Sequence, residues 1–82
     1  MERSEVIHLI NQFLIDEIEV EENLIQEEAR LKEDLGIDSL DFVDVVVIVE
    51  REFGFKIKAE EMTNIKTLSD FYNYIFDKVN PQ

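Results

Sequence analysis

Cysteine is absent from this chain, which rules out a disulfide framework, a thiolate nucleophile and a thiolate metal site. Glycine and proline are scarce, two and one respectively, so tight turns are few and helices dominate the plausible folds. Basic residues are also scarce, with 8 Lys and Arg against 20 Asp and Glu and a net charge of −12. That imbalance argues against nucleic acid and anionic membranes as direct partners, because their phosphates would be repelled. No apolar stretch approaches the roughly 20 residues of a membrane-spanning helix. The opening residues Met1-Glu2-Arg3-Ser4-Glu5 lack the basic start and apolar core of a signal peptide, so a cytoplasmic protein is expected.

What is present fits a folded chain rather than an acidic tail. Hydrophobic residues make up 45% and charged residues 34% of 82 positions, enough for one small domain over residues 1–82. Its acids suit attraction to basic patches on other proteins. Val6, Ile7, Ile10, Phe13, Leu14 and Ile18 recur at helical spacing, predicting a helix from about Ser4 to Ile18 with Ser4 as its cap. His8, the single histidine, lies off that stripe and reads as a solvated side chain. Glu19 to Asp34 reads as a long acidic connection anchored by Val20, Leu24, Ile25, Leu31 and Leu35, with a short helix over Asn23 to Lys32.

The run from Phe42 to Val49 is rich in β-branched residues and favours a strand by propensity. Its length and period favour a helix. Phe42, Val45, Val46, Val49 and Phe53 make one helical stripe, Asp38 or Ser39 is a good N-cap, and Gly54 is a stop. The predicted helix is Ser39 to Phe53. Leu40, Val43 and Val47 then fall on a second face beside Asp41, Asp44, Glu50 and Arg51, and an apolar strip rimmed by acids marks a protein-binding surface. Downstream, Phe55 and Ile57 pack in a connecting segment and Ala59 to Asn64 makes a brief helical turn. Thr67-Leu68-Ser69-Asp70 resembles a capping box. It opens a last helix with Leu68, Phe71, Tyr72, Ile75, Phe76 and Val79 on one face, stopped by Asn80-Pro81.

Little here supports intrinsic catalysis, and the chain is expected not to be an enzyme. A calcium loop started at Asp34 puts Gly36 at its third position and Ser39 at its sixth, where the EF-hand pattern needs a ligand and a glycine. No metal site is expected. No glycine-rich phosphate loop or nucleophilic triad is present, and the carboxylates look like a solvated helix face. Ser39 is a different matter, a hydroxyl placed at a predicted helix start inside Asp34-Leu35-Gly36-Ile37-Asp38-Ser39-Leu40-Asp41.

That octapeptide resembles the phosphopantetheine attachment motif of acyl carrier proteins. The similarity continues through Phe42 to Phe53, Ile57, Glu60, Glu61 and Ile65, and into Tyr74-Ile75. The resemblance implies an all-α fold, a small four-helix bundle with a long loop between the first and second main helices and a short third helix. It implies a 4′-phosphopantetheine esterified to Ser39, installed from coenzyme A by a phosphopantetheinyl transferase. Asp38, Leu40, Asp41, Val43, Asp44, Val47 and Glu50 would then form the docking face for that transferase and for acyl-processing enzymes with basic patches, the carrier itself being a monomer. Leu31, Phe42, Val46, Val49, Ile65 and Phe71 are the candidates to shelter an acyl chain. Arg51 stands where the family usually adds an acid, Lys58 replaces a frequent proline, and Phe42 and Phe71 are bulkier than the residues common there. These departures point to a specialised lipid or polyketide carrier as readily as to a fatty-acid one. An aminoacyl or peptidyl carrier, or an acidic interaction module that is never modified, stays open on the sequence.

Overall fold

The computed structural model describes residues 1–62 and 64–80. Its elements are α1 (Arg3–Asp16), a 3-10 turn (Glu22–Leu24), α2 (Ser39–Phe53), α3 (Ala59–Met62) and α4 (Leu68–Val79). Among the described residues there is no strand, only an isolated antiparallel bridge between Arg30 and Thr67. This is the small all-helical bundle with a long first connection and a short third helix that the sequence implies.

α1 buries Val6, Ile10, Phe13 and Leu14 and packs against α4, whose Leu68, Phe71, Tyr72 and Ile75 are the matching buried set. Full burial of such a side chain stabilises the fold by about 1.5–3 kcal/mol. Polar contacts flank the seam: Arg3 donates to Asn73 Oδ1 at 2.6 Å, and the Tyr72 hydroxyl donates to Asn11. The start of α1 differs from expectation. Its N-cap is Glu2, in a box with Glu5, whereas Ser4 lies inside the helix and is exposed. At the other end Glu19 takes a positive φ of 66°, and Val20 N–H reaches back to Leu14 O at 2.8 Å. That reversal buries Val20 beneath the helix.

The expected helix over Asn23 to Lys32 is not formed. Ile25 is extended after the 3-10 turn, and apart from a single turn closed by Ala29 N–H on Gln26 O at 3.0 Å its successors bond to the start of α4 and the residues before it. Leu68 N–H donates to Ala29 O at 2.8 Å, Ser69 N–H to Glu27 O at 2.9 Å, and Leu31 N–H to Lys66 O at 2.9 Å. Tertiary backbone bonds thus replace the i to i−4 ladder, and the loop becomes a fixed wall of the bundle. Leu31, Leu35 and Ile37 point inward from it, while Leu24, expected as an anchor, is 40% exposed.

α2 is helical despite its valines. Val45, Ile48 and Val49 are buried, with Phe42, Val46 and Phe53 half-buried beside them. Both ends are capped, and Gly54 takes φ 80° in the left-handed region that a side chain enters at a cost. Arg51 donates to Glu17 at 2.6 Å and to Glu52 at 3.3 Å, tying the end of α2 to the end of α1. α3 is held to α4 through Glu61, which accepts from the Tyr74 hydroxyl and from Lys78 Nζ at 3.3 Å. Of the turn expected over Ala59 to Asn64, Thr63 lies outside the described residues. α4 begins with the expected box, Asp70 N–H to Thr67 Oγ1 and Thr67 N–H to Asp70 Oδ2, both 3.2 Å. It is capped by Asn80, and Pro81 lies outside the described residues.

Candidate functional site

The segment leading to Ser39 is fixed from within. Asp34 accepts from the Arg30 backbone N–H at 2.8 Å and from its guanidinium at 3.2 and 3.3 Å, which holds the Asp34 carboxyl below the usual carboxylate range. Gly36 turns the chain with φ 71°, and Ile37, buried, donates its N–H to Leu31 O at 2.9 Å. Ser39 follows as the first residue of α2, exposed.

Asp38, and not Ser39, caps this helix. Its Oδ1 accepts from Asp41 N–H at 2.9 Å, and Asp41 Oδ2 accepts from Asp38 N–H at 3.4 Å. The two carboxylates are thereby turned onto each other's backbone. Among the described residues the Ser39 hydroxyl has no hydrogen-bond partner, and neither do the Ser39 and Leu40 N–H groups. A free hydroxyl beside two free N–H donors at the positive end of a 15-residue helix suits a phosphodiester. The residues present therefore fit a phosphate ester on Ser39.

The outward face of α2 runs from this point. Leu40, Val43 and Val47 are 76%, 62% and 58% exposed, so the long loop does not cover them. Asp38, Asp44 and Glu50 are exposed around the strip and Asp41 is half-buried. Behind it lie two adjoining clefts. One, of about 380 Å³, has Leu31, Phe42, Met62 and Ile65 in its wall; a smaller one of about 210 Å³ is formed by Phe42, Val43, Val46 and Met62. Of the cavity candidates, Leu31, Phe42, Val46 and Ile65 line these clefts. Val49 and Phe71 are enclosed in the core, 0% and 2% exposed. Met62 belongs to both clefts and escaped notice because one apolar residue in a four-residue helix makes no stripe. His8 is exposed, and no group of three or more His, Asp or Glu among the described residues is arranged to hold a metal ion.

Residues 8–75 match the family described as the phosphopantetheine attachment site. The chain belongs to this family of phosphopantetheine-bearing domains, whose prosthetic group is 4′-phosphopantetheine. Its relatives include the acyl carrier protein of Thermotoga maritima, 38% identical over 77 residues that cover 94% of this chain and 95% of that one. The acyl carrier protein of Thermosynechococcus vestitus is 35% identical over 96% of this chain and 98% of its own. That of Coprothermobacter proteolyticus is 40% identical over 92% of both chains.

Proposed function

We propose that residues 1–82 act as one acyl carrier domain whose Ser39 is esterified by 4′-phosphopantetheine. The observation that carries this reading is the exposed, unbonded Ser39 hydroxyl at the start of a helix capped by its neighbour. Loading joins Ser39 Oγ to the phosphorus that bears the pantetheine in coenzyme A. The pyrophosphate bond of coenzyme A breaks, the adenosine bisphosphate half leaves, and the serine proton passes to a base on the transferase. The attached arm supplies a terminal thiol for thioester formation, and a chain without cysteine offers no competing thiol.

This chain's residues then hold, shield and present the thioester, while bond making and breaking belong to partner active sites. It is a carrier, not an enzyme. Leu40, Val43 and Val47 form the apolar centre of the partner contact. Asp38, Asp41, Asp44 and Glu50 are its acidic rim, matched to basic patches on the transferase and on acyl-processing enzymes. Exposed charge of this kind speeds encounter more than it tightens binding, which suits a shuttle that must leave after each step. Leu31, Phe42, Val46 and Ile65 offer the acyl chain an apolar bed, with Val49 and Phe71 behind it. The carrier works as a cytoplasmic monomer in fatty acid, specialised lipid or polyketide synthesis, without nucleic acid and without membrane insertion; among the described residues no helix is long and apolar enough to cross a membrane.

Incubation with a broad-specificity phosphopantetheinyl transferase, coenzyme A and magnesium tests the reading by intact mass. The wild-type chain is expected to gain one phosphopantetheine and Ser39→Ala none. No adduct, or one that survives the substitution, would refute it.

A further inference from the structure

Positive charge is rare in this chain, yet three of its 8 basic residues, Arg30, Lys32 and Lys66, line the larger cleft behind Ser39. Arg30 is committed to Asp34. Arg3, Arg51 and Lys78 elsewhere are likewise in ion pairs. Lys32 and Lys66 form no ion pair with any described residue, and Glu33 is the only carboxylate lining the cleft with them. They come from segments far apart in sequence and are held together by backbone, because Leu31 N–H donates to Lys66 O at 2.9 Å. Lys66 acts at longer range on Asp70, helping to hold that carboxyl low, but neither lysine is in an ion pair, and on so acidic a chain two such lysines beside an apolar wall suit an anionic counterpart.

The cleft is within reach of Ser39. Phe42, in its wall, follows Ser39 by three residues on α2 and so shares its side of the helix, about 4.5 Å along the axis. A ligand for this cleft has an apolar body, for Leu31, Phe42, Met62 and Ile65, and a compact negative end for two lysines. We propose that the cargo of this carrier is an acyl chain with a carboxylate at its far end, several methylenes from the thioester. Its methylenes lie on the apolar wall and its carboxylate pairs with Lys32 and Lys66. A plain alkyl chain offers neither lysine an ion-pair partner, and a cargo ending in a free amine is repelled by them. This inference names the substrate class of the carrier and rests on the carrier reading above.

Octanoyl- and octanedioyl-coenzyme A, equal in length, are loaded onto the full chain by a broad-specificity transferase, and hydrolysis of each thioester is followed at low and high salt. On the wild type the octanedioyl thioester is expected to be hydrolysed about fivefold more slowly than the octanoyl one, the effect of one exposed ion pair at its strong limit. High salt should erase the difference. The Lys32→Met, Lys66→Met double variant should lose the protection of octanedioyl while changing octanoyl less than about twofold. Equal hydrolysis of the two cargoes on the wild type overturns the proposal, and needs no variant to fold. So does protection that survives the double substitution. Failure of both coenzyme A derivatives to label Ser39 instead brings down the carrier reading itself.

Discussion

Replacing Asp38 by alanine tests which residue organises the start of α2. The side chain satisfies Asp41 N–H at 2.9 Å and frees the neighbouring serine from that task. Loss of an N-cap acceptor costs about 1 kcal/mol, and loss of a negative charge at a helix N-terminus about 0.3–1 kcal/mol more at low salt. For a chain of this size each kcal/mol lowers the melting temperature by about 4–8 °C, so Asp38→Ala should fall by roughly 5–16 °C. Asp38→Asn keeps an acceptor and loses only the charge. It should fall by about 1–8 °C, always less than Asp38→Ala, and approach the wild type at high salt. Ser39→Ala, which removes no described hydrogen bond, should melt within about 2 °C of the wild type. Thermal unfolding followed by circular dichroism reads all three. An unchanged melting temperature for Asp38→Ala, or a drop for Ser39→Ala as large as that of Asp38→Ala, would refute the assignment of the cap.

Three further outcomes follow from the same contacts. Asp44→Lys with Glu50→Lys, which disturbs no capping contact, should slow loading by the transferase on the order of tenfold at low salt, with the gap closing as salt is added; stopped-assay mass spectrometry checks it, and equal rates at low salt would remove the acidic rim from the docking face. Asp34, Glu61 and Asp70 are held below the ordinary carboxylate range by Arg30, by Tyr74 with Lys78, and by the Thr67 and Lys66 backbone respectively. Their contribution to stability should be complete above the unfolded carboxylate range near pH 4.5 and fade as acid protonates the folded forms. Burial and the hydrogen bond to Glu61 push Tyr74 up to about 12, so its contribution persists below pH 10 and is lost between about 10 and 12; an acid–base series of melts on wild type and Glu61→Gln reads both limbs. Gly54→Ala, at φ 80°, should cost about 1–2 kcal/mol in chemical denaturation.

The parts of the fold that local pattern decides were readable in the chain. α2 was legible because its stripe, its caps and its stop agree, and their agreement outweighs the β-preference of Val43, Val45, Val46 and Val47. The box at Thr67 and Asp70 was equally plain. What escaped reading depends on distant partners. The stretch from Glu27 to Leu31 has the composition of a short helix, but Glu27 O, Ala29 O and Leu31 N–H are taken by Ser69, Leu68 and Lys66, and no periodicity within the stretch reveals that. The cap of α1 was missed because Glu2 and Glu5 do the work for which Ser4 is the better-known residue type. At the site, the place of Ser39 at the start of α2 and the outward strip were visible from spacing. The approach of Lys32 to Lys66 was not, since 34 positions of sequence separate them and only the backbone bond from the neighbouring Leu31 to Lys66 brings their segments together.

The division of labour between Asp38 and its neighbour bears on turnover. Esterification of a hydroxyl that also capped the helix would disturb that hydrogen bond at every loading and restore it at every removal. Under the proposed esterification the reacting Ser39 oxygen stands outside the network that holds α2, so attachment and release of the arm exchange one solvent contact for another. The unmodified and modified forms are then folded to nearly equal stability. A pool of carrier awaiting its arm would then survive as well as the pool at work.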